Sequence, residues 1–445
     1  MLKSQSCNCS VQQVQNNTVV PCDLIIGTTV TVGTVNEIWA AINEANSSGG
    51  DRTILIEDGT YEVASTASFP YITASNVVFR SLSGNRDAVI LEGGGMQSTS
   101  STENGFLIAG DHVTIADLTI REVGNHGIQV SGHHLYVHNV RIQNTYEQML
   151  KGSTSAESID MGTVQCSLFE YTDGVGPNWY IGGLDIHKGN GWLVRDNVFY
   201  DIASPSGSLA EHAIHFWNNS MHNTVERNFI YNYDRGVGFG LGNNDPQNEG
   251  GIIRNNMFYN NGEALFDDVG IGLESSPNTK VYNNTIYVQY DNAIEYRFTS
   301  TTNADIINNL TNKAITSRDG GSGNLQTNIT NAVADWFQDL NSGDLRLGLG
   351  INAVLDQGTA LPDFVTDDID QTLRPQNAAY DIGAQELQIT GLETLLAKPK
   401  LSVYPNPCRS ITTIKTGVEF PGATLTLYNM LGEEMKKSTY FLNRK

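Results

Sequence analysis

Eight times between residues 115 and 311 the sequence repeats a six-residue pattern of the general form V-x-[DNR]-N-x-[FI]. The copies are IADLTI, VHNVRI, VQCSLF, VRDNVF, VERNFI, IRNNMF, VYNNTI and IINNLT, anchored at Asp117, Asn139, Cys166, Asp196, Arg227, Asn255, Asn283 and Asn308. Their spacing of 22 to 31 residues is that of a solenoid, in which each repeat is one supersecondary unit that buries its apolar face only against its neighbours. Within each copy the apolar residues alternate with a period of two, so the repeats are strands and successive copies stack in parallel. The recurring Asn197, Asn228, Asn256, Asn284 and Asn309 are expected to adopt left-handed backbone angles in the turn and to form a side-chain ladder along the axis.

A second strand follows each of the first seven copies: NHGIQVS, EQMLKGS, GGLDIHK, HAIHFWN, RGVGFGL, VGIGLES and NAIEYRF. Aligning Ile128, Leu150, Leu184, Ile214, Val237, Ile271 and Ile294 as an inward column forces the next residue of each strand outward. That outward column reads Gln129, Lys151, Asp185, His215, Gly238, Gly272 and Glu295, and two residues on it includes His187, Trp217, Gly240, Glu274 and Arg297. Because adjacent turns lie about 4.8 Å apart, Lys151, Asp185 and His215 become neighbours in space. His187 and His212 adjoin them, and Arg235 opens the next turn. An ordinary solvated face would carry Thr, Ser, Asn and Lys here. This one reads as a groove, with Gly238 and Gly240 leaving room for a flat ring and with Trp217, Trp179 and Tyr180 able to stack on sugar. Gln129, Gln148 and Glu274 complete the expected binding residues. The plain alternative makes Asp185 an ion-pair partner, Arg235 a partner of Asp234, and Glu211 and Asp268 acceptors of turn amides.

The formal net charge is −22 and only 17% of residues are charged, with 44 glycines among 445 residues. Such a surface repels duplex phosphates, so a nucleic-acid partner is excluded, whereas an acidic polysaccharide remains compatible if basic residues or a Ca²⁺ reverse the field inside the groove. No stretch approaches the roughly 20 apolar residues of a membrane span. Cys7, Cys9 and Cys22 crowd the N-terminus and allow one disulfide there, while Cys166 and Cys408 stand alone. Residues 35 to 46 carry helical periodicity and are expected to cap the open end of the solenoid.

The repeats, the cap helix and the Asn-bearing turns resemble the pectate-lyase-like superfamily over about residues 30 to 385, and LDIHKGNGWLVRDNVFYDI with the turns after it resembles bacterial right-handed parallel β-helix repeat proteins. Beyond them, VYPNP and YNMLGEEM resemble the C-terminal sorting domain of type IX secretion in Bacteroidetes. The organisation expected is an N-terminal segment at 1–34, an all-β right-handed parallel β-helix at 35–388, a linker at 389–400 and a partial sorting domain at 401–445. No apolar leader follows Met1, so secretion implies a start upstream.

The superfamily resemblance implies a monomeric, secreted polysaccharide-degrading enzyme but leaves the reaction open, since one fold serves lyases, hydrolases and binders. A lyase needs a group to neutralise a uronate carboxylate, a base for the C5 proton and an acid for the leaving oxygen. Arg235, His187 or Ca²⁺ suits the first role, Lys151 or His215 the second, and Tyr180 or His212 the third. A hydrolase needs two carboxylates about 5 to 9.5 Å apart, and Asp185 and Glu274 stand too many turns from each other. The balance favours β-elimination on a uronic-acid glycan, with a glycoside hydrolase or a non-catalytic carbohydrate-binding β-helix as the alternatives.

Overall fold

The computed structural model describes residues 7–22, 24–63, 71–97, 103–244, 247–348 and 350–388, together with the backbone of four strands beyond 400. The chain divides into two compact units, Met1–Gln388 and Ile389–Lys445.

In the first unit the alternating repeats become strands of three long parallel sheets, holding 12, 10 and 9 strands among the described residues. One coil shows the plan. Leu193–Arg195 joins the first sheet, a two-residue turn leads to Val198–Ile202 in the second, and His212–Trp217 enters the third. The crossover is right-handed, the hand that a twisted strand imposes on such connections. The inward columns fill the core, with Ile128, Leu150, Leu184, Ile214, Val237, Ile271 and Ile294 all fully buried as expected. The helix Val35–Ser48 is capped by the Thr34 side chain, ends at a left-handed Gly49, and buries Ile38, Ala41, Ile42 and Ala45. No described helix is long and apolar enough to cross a membrane.

The asparagine ladder forms: Asn197, Asn228, Asn256, Asn284 and Asn309 each donate a side-chain hydrogen bond to the next member at 2.9–3.0 Å, and it runs one step further than expected, to Asn328. Each also satisfies a backbone carbonyl of the preceding strand, as Asn228 does for Val194 O at 3.0 Å. The left-handed angle sits one residue earlier than expected, at Asp117, Asn139, Cys166, Asp196, Arg227, Asn255, Asn283 and Asn308, whose φ values lie between 51° and 60°. This position points its side chain out of the solenoid, and segments near both ends of the first unit are fastened to it. Cys166 is bonded to Cys9, Arg227 pairs with Asp367 at 2.9 Å, and Asn255, Asn283 and Asn308 donate to carbonyls of Asp367, Asp381 and Thr359.

The cysteine expectation is therefore corrected. Two disulfides form, Cys7–Cys22 and Cys9–Cys166, because the outward side chain of Cys166 meets the N-terminal segment passing over it. Cys408 lies outside the described residues.

In the second unit Leu401–Tyr404 pairs antiparallel with Thr413–Thr416, and Thr424–Tyr428 with Glu434–Thr439. The expected linker 389–400, the end of VYPNP (405–407) and the middle of YNMLGEEM (429–433) lie outside the described residues.

Candidate functional site

The third sheet sets the register of the site. Gln129, Lys151, Asp185, His215, Gly238, Gly272 and Glu295 are paired in succession across seven strands, as the outward column requires. His187 pairs with Trp217, Glu274 with Arg297, and, at the start of the strands, His212 with Arg235.

Asp185 is the hub. Its carboxylate accepts from Lys151 Nζ on one oxygen and from Trp217 Nε1 at 2.7 Å on the other. Burial pushes this carboxyl up, but the hydrogen bond with His187 and the charges of Lys151, His215 and His187 outweigh it and hold the group well below the usual carboxylate range. Lys151 Nζ also lies 3.1 Å from His187 Nε2. Both nitrogens also face Asp185 Oδ2, His187 Nε2 at 3.6 Å, so the three side chains form one polar cluster.

The cluster is sunken. Asp185, His215 and His212 are only 3%, 1% and 6% exposed, whereas Lys151, His187, Trp217, Glu211 and Arg235 are half-buried and border the groove. Burial lowers the proton affinity of both His212 and His215, and for His215 the nearby Asp185 and Glu211 offset part of that effect. A neutral, buried His212 does not suit the role of acid expected for it.

Three expected binding residues prove to be structural. A Cβ on Gly238 would lie 2.6 Å from His212 Nε2, so the space left by this glycine is filled by the imidazole rather than by a ligand. Gly240 has φ +86° and its Cβ would lie 1.8 Å from Glu274 O, so the backbone itself requires glycine. Gln148 is 1% exposed and its amide donates to Tyr180 O at 2.9 Å. Trp217 is also less available than expected, since its ring packs against the rings of His187 at 4.3 Å and His215 at 5.5 Å while its N–H holds Asp185.

Trp179 and Tyr180 are exposed, 49% and 42%, in the loop leading into the strand Gly182–His187. They stand at the opposite end of that strand from His187, so the structure does not join the Tyr180 hydroxyl to the Lys151–His187 pair. Gln129 is half-buried beside Lys151.

Next to the cluster lies a polar pocket of about 160 Å³ that includes His212, Arg235, Asp268, Glu274, Tyr290, Glu295, Arg297 and Arg318. Arg318 binds both oxygens of Glu295, and Arg297 Nη1 pairs with Glu274 at 2.9 Å. Among the described residues Arg235 has no acidic partner within ion-pair distance, and its Nε is buried without a hydrogen bond. Burial raises the carboxyl of Asp268 above the usual range. Sequence reasoning gave Asp268 only a turn role and did not name Arg318, because both fall outside the outward column of the recognised repeats; the one available signal was the charge of residues flanking that column.

Calcium takes six to eight oxygen ligands. Among the described residues one group of three His, Cys, Asp or Glu donors converges, Glu211, His212 and His215, and two of its donors are imidazole nitrogens. The expected Ca²⁺ does not fit this donor set.

No protein-family model matches the chain, and no curated protein matches its sequence. Among solved structures it is similar to pectate lyase Pel9A, with 16% identity over 82% of this chain and 98% of that one and a TM-score of 0.53. The two chains share one fold. It is the parallel β-helix. An alginate lyase from Paenibacillus sp. str. FPU-7 aligns with 16% identity over 67% of this chain and 97% of that one at a TM-score of 0.43. A mannuronic acid specific polysaccharide family 6 lyase from human gut microbiota aligns with 16% identity over 68% and 80% at a TM-score of 0.41.

Proposed function

We propose that this chain is a secreted polysaccharide lyase that cleaves a uronic-acid glycan by β-elimination. The observation that carries the reading is the Lys151–His187 pair, two basic side chains 3.1 Å apart on the open side of a buried carboxylate, with the guanidinium of Arg235, which has no acidic partner among the described residues, on the same sheet. In this reading Arg235, which pairs with His212 at the entry of the strands, binds a glycan carboxylate at a subsite next to the reacting sugar. The Lys151–His187 pair takes the C5 proton, the C4–O bond breaks, the electron pair becomes the C4–C5 double bond, and the leaving oxygen is protonated. Water from the groove is the candidate for that last proton. The fold shared with a pectate lyase supports the reading, and two disulfides accord with an oxidising exterior. The resemblance of the C-terminal segment to a type IX sorting domain points the same way.

One observation favours a second reading. The pocket beside the cluster pairs a raised carboxyl, Asp268, with the arginine-bound carboxylates Glu274 and Glu295, the split in environment that glycoside hydrolases use for acid and nucleophile or base. Incubation of the chain with a panel of pectins, alginates and neutral glycans separates the two. The lyase reading expects the ultraviolet absorbance of an unsaturated uronate in step with new reducing ends. Reducing ends without that absorbance would establish the hydrolase instead, and binding without either would leave a carbohydrate-binding module.

A further inference from the structure

Glu211, His212 and His215 sit at the entry of the strand His212–Trp217, and one donor atom from each lies within 4.8 Å of the others. We propose that these three residues bind a divalent transition metal of the zinc class. The Nδ1 atoms of His212 and His215 are both buried and neither has a hydrogen-bond partner among the described residues. A buried polar atom left unsatisfied costs about 1–3 kcal/mol, so two in one place mark a site built for a ligand.

The other ring nitrogen of His215 fixes which face meets the group. Nε2 lies 3.1 Å from Gly240 O, which can only accept, so the ring N–H is directed there and Nδ1 is turned toward the acidic residues. Around Nδ1 stand Glu211 Oε2 at 3.8 Å and Asp185 Oδ1 at 3.7 Å, too far for a hydrogen bond. A nitrogen lone pair facing two carboxylate oxygens is repulsive unless a cation lies between them. A backbone carbonyl behind the imidazole is also the usual outer partner of a metal-bound histidine, because it sets the tautomer and the ring orientation.

The donor types select the ion. Two imidazoles and one carboxylate suit zinc and its neighbours, with bonds of about 2.0–2.2 Å, and three such ligands leave a fourth position open. At those lengths tetrahedral donors stand about 3.3 Å apart, so the separation of 3.8 Å between His215 and Glu211 needs only a small closure. The inference concerns binding and does not rest on the lyase reading.

The test uses the full chain stripped with a chelator and titrated separately with Zn²⁺, Co²⁺ and Ca²⁺, followed by calorimetry and, for Co²⁺, by its visible absorption. Expected are one equivalent of Zn²⁺ or Co²⁺, Co²⁺ bands of a low-coordinate nitrogen and oxygen site, and no competition from Ca²⁺. His215→Gln and Glu211→Gln should each weaken binding by at least about 10- to 100-fold, the loss known even for outer-shell partners. Glu211 is half-buried and its carboxylate accepts no hydrogen bond from the described residues, so Glu211→Gln keeps the test valid should His215→Gln not fold, with circular dichroism as the check. Failure of the native chain to bind Zn²⁺ or Co²⁺ stoichiometrically would overturn the proposal. So would undiminished affinity in the folded variants, which would place the ion elsewhere, for instance at the stacked pair His112 and His134.

Discussion

Lys151 and His138 are basic side chains in two settings, one bordering the candidate groove and one buried in the first sheet. Lys151 bonds both Asp185 and His187, so removing its side chain would strip a buried carboxylate of its cation as well as remove the base of the proposed reaction. Lys151→Arg separates the two effects, because arginine keeps the charge on Asp185 but does not give up its proton. Turnover on a confirmed substrate should fall by about 10² to 10⁴ while the unfolding temperature stays near that of the native chain. Full activity in Lys151→Arg together with loss in His187→Ala would assign the base to the imidazole. His138 is fully buried on the first sheet, and burial pushes its pKa down to about 4 from the ordinary 6.5. The unfolded chain therefore takes up this proton before the folded one does. The stabilisation from a neutral His138 is complete above about pH 6.5 and is lost as the pH falls toward about 4, a change of about 3 kcal/mol. Between those pH values the denaturant midpoint of His138→Gln should fall less steeply than that of the native chain, and parallel slopes would show that His138 does not carry the loss.

Among the elements, the asparagine ladder shows what was legible in the sequence and what was not. The period-two alternation fixes which face of each strand is buried, so the inward column and its outward neighbours follow from residue identity alone, and Lys151, Asp185 and His215 meet as the column requires. Identity does not reveal how deep the outward face lies. That depends on side chains from other coils, such as the ring of His212 over Gly238 and the ring of Trp217 beside Asp185, so the open groove expected from glycines is partly filled. The Arg235 pocket was illegible for a related reason, since Asp268 and Arg318 reach it from outside the recognised repeats. In the ladder itself, Asn256 donates to Val225 O and to Asn284 while its oxygen accepts the backbone and side-chain N–H of Asn228. Asn256→Ala would leave several of these groups buried and unpaired, at about 1–3 kcal/mol each. The loss should reach about 3 kcal/mol or more by urea denaturation, and a loss below about 1 kcal/mol would mean that the ladder adds no stability beyond the strand pairing.

For the whole first unit, the question is what prevents a solenoid, whose coils touch only their neighbours, from opening at its ends. The left-handed turn residues answer it by fastening distant parts of the chain to the middle coils. Arg227 and Asn255 bind Asp367, across 140 and 112 residues of sequence. Cys166 joins Cys9 across a separation of 157 residues, whereas Cys7 and Cys22 are only 15 apart. In the chain-entropy account a bridge restrains the unfolded ensemble in proportion to the logarithm of the loop it closes, which gives about 5 kcal/mol for the long bridge and about 3 kcal/mol for the short one. Replacing Cys9 and Cys166 together by alanine should therefore lower the unfolding midpoint more than replacing Cys7 and Cys22, with the activity of the folded protein retained because the third sheet is untouched. The comparison requires the pairing to be confirmed by mass spectrometry of the unreduced native chain. Equal losses from the two double variants would show that the long bridge adds no restraint beyond the local one, and that contacts such as Gln165 Nε2 to Cys7 O already hold the N-terminal segment in place.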